Sequence, residues 1–197
     1  MKPSRAVLAL VLVTGLAGCA SDTTASTEPP NCSEGDDGDA ANGVVLMAQS
    51  VPSATWIPCL RTTLPVGWGF HHLDARDGTA SFSLDSDRDG QEAIDVRLSA
   101  DCETAGSTEI PSDREGMRRL ERVTRTTPHF EGERYYVFEG GCITMVFRLT
   151  GDSRGEPLAL ATGAVGVVAR DDLVDQVHEE SDGRLSLDPT TAPDGEP

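Results

Sequence analysis

Apolar and polar residues alternate with period two through the middle of the chain. In 79–85, Ala80, Phe82 and Leu84 fall on one face and Ser81, Ser83 and Asp85 on the other. In 94–100, Ile94, Val96, Leu98 and Ala100 alternate with Asp95, Arg97 and Ser99. Successive side chains of a strand point to opposite faces, so both stretches are expected to be strands with one wet face. The Asp-Ser-Asp-Arg-Asp-Gly sequence between them has turn composition and predicts a hairpin. A second hairpin is expected from 135–139 and 142–149, which flank Gly140-Gly141 and place Ile143, Met145, Phe147 and Leu149 on one side. The stretch 117–126 carries two signals. Ser112-Asp113-Arg114-Glu115, followed by Met117, Leu120 and Val123 at intervals of three, fits a capped helix. Gly116 and the Thr-rich end fit a strand, and the need of the second hairpin for neighbours favours the strand.

Helical spacing appears on either side of this β-rich region. Val44, Met47, Ala48 and Val51 form one stripe over 40–49, and Pro52 ends it; the acidic run 34–39 precedes its start. Beyond Leu149, 156–168 and 171–181 are expected to be helices. The second has Asp171 or Asp172 at its start, Leu173, Val174 and Val177 inward, and Ser181-Asp182-Gly183 at its end. Gly163 and Gly166 weaken the first helix while permitting close approach to a sheet. The intervening 51–68 holds three prolines and two tryptophans and is expected to be an irregular or edge segment pinned by Cys59. Trp56 and Trp68 either line a ligand surface or cover the core. The predicted fold is α+β: an antiparallel sheet of hairpins with C-terminal helices packed on one face.

The N-terminus gives an address. The apolar run 6–16 follows Lys2 and Arg5 and ends at small residues, the layout of an export signal. Eleven residues rise only about 16 Å as a helix, too little to span a bilayer. Leu16-Ala17-Gly18-Cys19 closes the run and resembles the lipobox of bacterial lipoprotein precursors. That resemblance implies cleavage before Cys19 and a lipid on its sulfur; the alternative is an ordinary cleaved signal followed by a chance cysteine. The expected organisation is then a signal peptide (1–18), a lipidated cysteine with a Ser/Thr/Pro tether (19–31), one globular domain (32–187) and a disordered tail (188–197). Together with Val51-Pro52-Ser53-Ala54 and the stretches 56–60 and 64–68, the lipobox resembles uncharacterised actinobacterial surface lipoproteins, a likeness that brings no activity or site with it.

Composition sharpens this picture. The formal charge is −17, and losing Lys2 and Arg5 with the signal makes it −19. Such an excess repels nucleic acid and anionic headgroups alike. Of the five cysteines, the lipobox takes Cys19. Cys32, Cys59, Cys102 and Cys142 form an even remainder in an exported chain, expected to pair Cys32 with Cys59 and Cys102 with Cys142 as neighbouring segments.

Chemistry is thinly signalled. Asp85, Asp87, Asp89 and Gly90 match the first half of a calcium loop, but position twelve is Val96 instead of Glu and the flanks alternate like strands. A polar turn is the simpler reading, and a calcium ion on Asp85, Asp87 and Asp89 the sharper one. His71 and His72, adjacent on a strand, are expected to point to opposite faces and not to share a metal ion. His129 and His178 stand apart, and His178-Glu179-Glu180 lacks a second histidine at the spacing of a zinc protease helix. No nucleophile elbow or phosphate-binding glycine loop occurs. Arg114, Arg118, Arg119, Arg122 and Arg125 form a basic run, either balanced by acidic neighbours or contacting an acidic partner. The expected role is binding, scaffolding or envelope maintenance at the outer face of a bacterial cytoplasmic membrane. Its partners would be membrane lipid through Cys19 and an envelope protein or polymer, not nucleic acid. The alternatives are a hydrolase using carboxylates or a metal, and a calcium-dependent binding module.

Overall fold

A computed structural model describes residues 24–26, 28–32, 42–61, 64–150 and 155–188 of the chain. Its elements run β1 (Thr24–Ser26), α1 (Asn42–Ser50), β2 (Trp56–Leu60), β3 (Trp68–Arg76), β4 (Thr79–Ser86), β5 (Gly90–Ser99) and β6 (Thr108–Ile110), then β7 (Arg118–Arg125), β8 (Phe130–Phe138), β9 (Gly141–Leu149), α2 (Gly155–Ala164), β10 (Val165–Ala169) and α3 (Arg170–Glu180). Eight strands form one antiparallel sheet in the order β1-β3-β4-β5-β9-β8-β7-β6, and β10 and β2 form a separate ladder. Both expected hairpins are present as β4–β5 and β8–β9, and 118–125 is a strand. The two meanders meet at the centre, where β5 pairs with β9 from Ile94↔Phe147 to Ser99↔Cys142.

The inward face of the sheet carries Phe82, Leu84, Ile94, Val96, Leu98, Ile143, Met145 and Phe147, all buried. Each such side chain contributes roughly 1.5–3 kcal/mol relative to exposure. Helix α1 lays Val44, Met47 and Ala48 into this core and contacts β3 and β4, while α2 and α3 contact β10.

One expected helix is corrected. The stretch 156–168 does not stay helical: α2 stops at Ala164, and Val165–Ala169 pairs antiparallel with β2, from Val165↔Leu60 to Ala169↔Trp56. The β-branched run Val165, Val167, Val168 favours the strand, and β2 lies outside the main sheet, so its backbone needs a partner of its own. Gly166 is required by closeness: a Cβ there would lie 2.5 Å from Arg61 Cγ and 2.8 Å from Cys32 Sγ. The segment 51–68, expected to be an irregular or edge segment pinned by Cys59, contributes β2, a strand of the two-stranded ladder that carries the disulfide-bonded Cys59.

Cys32 pairs with Cys59 and Cys102 with Cys142, with Cα–Cα distances of 5.0 and 5.8 Å. Part of the expected tether is drawn onto the domain. Thr24–Ser26 extends the sheet edge on β3, Pro30 is buried, and backbone bonds join Cys32 N to Leu60 O (2.8 Å) and Leu60 N to Pro30 O (2.7 Å). Cys19, the acidic run 34–39 and the tail beyond residue 188 lie outside the described residues.

Two contacts lock the layers. Arg170, 2% exposed, donates from Nε to Ala54 O (2.8 Å) and from one terminal nitrogen to Val51 O (2.8 Å) and Ala48 O. These carbonyls lie at and just beyond the end of α1, where the helix dipole is negative. At the β8–β9 turn, Gly140 has φ +73° and sits against the 51–55 loop so closely that a Cβ would fall 1.8 Å from Ser53 O. Arg170→Ala removes the guanidinium bonds to three buried carbonyls, of which Val51 O keeps the Ala54 N–H at 3.1 Å, and is expected to cost at least about 3 kcal/mol, with Arg170→Lys recovering only part, read from chemical denaturation midpoints. Gly140→Ala adds left-handed strain to a backbone collision, so the same measurement should show a loss of about 2–4 kcal/mol.

Candidate functional site

Among the described residues, the outward face of β3, β4 and β5 brings together a group of His and carboxylate side chains. Two register shifts create it. Between the pairs Phe70↔Leu84 and Leu73↔Phe82, β3 sets two residues, His71 and His72, against the single Ser83 of β4. Between Leu84↔Ile94 and Ser86↔Gly90, β5 sets Gln91, Glu92 and Ala93 against the single Asp85. An extra residue breaks strict alternation and re-aims side chains. The two histidines therefore do not diverge as alternation predicts: their ring centroids lie 4.7 Å apart at 76°. Glu92 has φ +50°, and its N–H donates to Asp85 Oδ1 at 2.8 Å. Ligand atoms of His71, His72 and Glu92 all lie within 4.8 Å of one another.

Carboxylates and a hydroxyl hold the rings. Asp85 Oδ2 lies 2.9 Å from His71 Nδ1, Asp74 Oδ2 lies 3.2 Å from His72 Nε2, and Ser83 Oγ lies 3.2 Å from His72 Nδ1. Asp95, paired across the strands with Ser83, shares this face. Burial pushes its carboxyl above the ordinary value of 3.8 despite Arg97 and Arg148, and its Oδ1 has no hydrogen-bond partner among the described residues. Two imidazoles and a carboxylate form a nitrogen-rich donor set suited to late first-row divalent ions.

The other sequence-derived candidates are dispersed. Asp85 serves His71 and Glu92. Asp87 donates its N–H to Gly67 O at 2.9 Å, and Asp89 accepts from Thr150 N (2.9 Å) and Ser86 Oγ (3.2 Å). Among the described residues these three carboxylates do not converge as a ligand group. Asp87, Asp89 and Glu156 line a cavity of about 180 Å³ in which Arg88 and Glu156 pair at 2.7 Å. That volume falls below the roughly 300 Å³ where small-molecule sites begin. His129 and His178 are exposed and do not join the cluster. Trp56 and Trp68 pack half-buried against the core, and Trp68 also lines an open groove of about 450 Å³ with Leu60, Leu64 and Phe70.

Four of the five arginines of the basic run form ion pairs within the chain. Arg118 pairs with Glu109, Arg119 with Glu121 and Asp113, Arg122 with Glu133, and Arg125 with Glu131; Arg134 joins Glu121. Arg114 lies over the Tyr136 ring at 4.6 Å and donates to Val165 O. Tyr135 donates to Glu133 at 2.6 Å, and burial with that bond pushes its hydroxyl up to about 12. Sequence reasoning missed Glu92, Asp74 and Asp95 as companions of the histidines. Only the alternation of 94–100 marked one of them, by placing Asp95 on the wet face.

Comparison with protein-family models, curated proteins and solved structures finds no match. The fold therefore defines the class by itself: a mixed α+β protein, mostly antiparallel sheet, with two disulfides.

The ion-pair network sets a pH dependence. Burial acts to raise the Glu121 carboxyl, but hydrogen bonds from Arg119 and Arg134 outweigh it and hold the group below its ordinary 4.5; Tyr135 and Arg122 do the same for Glu133. A depressed folded-state value stabilises above the unfolded value, and that contribution is lost as pH falls through the folded value. Asp95, raised, acts in the opposite sense and destabilises when ionised. With Asp113 and Glu109 lowered as well, four depressed carboxyls stand against one raised, and Tm followed by circular dichroism should fall as pH drops from 6 to 3. Glu121→Gln should flatten the fall, and an unchanged slope in that variant would contradict this account.

Proposed function

We propose that this chain is a lipid-anchored extracytoplasmic protein with a binding, scaffolding or envelope-maintenance role at the outer face of a bacterial cytoplasmic membrane. One observation carries the reading. Of five cysteines, four are taken by two disulfides, and the fifth, Cys19, is the one at the end of the lipobox-like run. Disulfides belong to an oxidising compartment, which agrees with export. The acyl anchor supplies what the domain lacks, since among the described residues no helix is long and apolar enough to cross a membrane. In this reading α2 and α3, with the β2–β10 ladder, cover one face of the sheet.

Chain length sets the geometry of attachment. From Cys19 to Thr24 is five residues, at most about 18 Å of extended chain, and Thr24 pairs with Ala75 of β3. The β1–β3 edge of the sheet therefore rides close to the headgroups. The mature charge disfavours direct adhesion to anionic lipid and leaves an envelope protein or polymer as the partner. Metabolic labelling with palmitate should mark the wild-type chain and keep it in the membrane fraction, while Cys19→Ala should be unlabelled and released to the medium. Equal absence of label, with both forms released, overturns the proposal.

A further inference from the structure

We propose that His71, His72 and Glu92 bind one late first-row divalent cation, with zinc as the reference ion. Sequence logic alone separates the two histidines. It is the two-against-one register on β3 and the three-against-one register on β5 that aim all three side chains at one point above Ser83 and Asp85. A tetrahedral ion with bonds of about 2.0–2.1 Å needs ligand atoms about 3.4 Å apart. From 4.8 Å or less, closure requires modest side-chain rotation. Glu92, exposed at the start of β5, is free of core packing and supplies most of it.

The surroundings match what a metal-binding imidazole requires. A carboxylate only accepts, so His71 donates its Nδ1–H to Asp85 and keeps the Nε2 lone pair for an ion, the carboxylate–histidine–metal arrangement that fixes tautomer and ring angle. His72 has a partner 3.2 Å from each ring nitrogen, Ser83 at one and Asp74 at the other. The ion displaces the partner at the nitrogen it meets, and the other nitrogen keeps its anchor. Glu92, Asp74 and Asp85 offset the charge of a dication. Two nitrogens and one carboxylate select zinc, nickel or copper over calcium and magnesium, which prefer all-oxygen shells. Three protein ligands leave a coordination position for water or for a donor from a bound partner.

Isothermal titration with zinc, on the full chain in detergent and on the full chain carrying Cys19→Ala, tests the site independently of the anchor. The expected result is one ion per chain in both forms. Affinity should drop at least about 100-fold in His71→Ala/His72→Ala, and about 10-fold or more in Glu92→Gln and in Asp85→Asn. His129→Ala/His178→Ala should bind like the wild type. Cobalt in place of zinc should give visible absorption bands that the double histidine variant lacks. Wild-type affinity no greater than that of His71→Ala/His72→Ala overturns the proposal, as does equal loss in His129→Ala/His178→Ala. Should the double histidine variant misfold by circular dichroism, the exposed Glu92→Gln decides: unchanged affinity there rejects the site.

Discussion

A buried guanidinium bonded to backbone carbonyls is the constraint on which the layers of this domain depend. Arg170 begins α3 directly after β10, and its side chain reaches back more than a hundred residues in sequence to the carbonyls of Ala48, Val51 and Ala54. Its own N–H donates to Thr55 O at 2.9 Å. Burial lowers the affinity of the group for its proton, and the carbonyls that end α1 offset that cost with aligned dipoles. One side chain thereby ties the end of the helix on the main sheet to the second ladder. The same 51–55 loop receives Gly140, and Thr55 Oγ1 donates to Glu139 O at 2.8 Å, so the β8–β9 hairpin is registered against it too.

The two faces of the sheet are finished differently. Inside lies one continuous core. Outside, the half built from β7, β8 and β9 is closed: the Cys102–Cys142 disulfide ties down the segment after β5, Leu120 and Tyr135 pack beside it, and arginine–glutamate pairs run along the strands. Exposed pairs of this kind contribute little individually, but Glu121 shared between Arg119 and the buried Arg134 is a network with more at stake. The other half, β3 to β5, carries His71, His72, Glu92 and Asp95 in place of such cover.

Alternation made the hairpins legible, because a strand with one wet face writes its period into the sequence and Gly140-Gly141 marks the turn. The cysteine pairing was legible as proximity. The α2–β10 boundary was not, since the run from Leu158 to Val168 is apolar or glycine except for Thr162 and has no period to separate helix from strand. What decided it was tertiary: β2 needed a partner, and the disulfide at Cys32 left room only for a glycine opposite Cys59. Arg170 carried no signal, since an arginine between two expected helices and just before two aspartates looks solvated.

The candidate site was hidden for a more particular reason. Sequence reasoning about a strand assumes one residue against one, and under that assumption adjacent histidines must part. A bulge removes the assumption and leaves no mark in composition. Here two bulges stand on the strands either side of β4, and Ser83 and Asp85, the residues they oppose, are the ones that hold the rings. The irregularity that defeats the periodic argument is therefore also what gathers the donors. β4 supplies the fixed platform and its two neighbours each contribute the displaced side chains. β3 is in addition the strand that accepts β1, so in the proposed attachment this cluster lies on the strand tied most directly to the anchor.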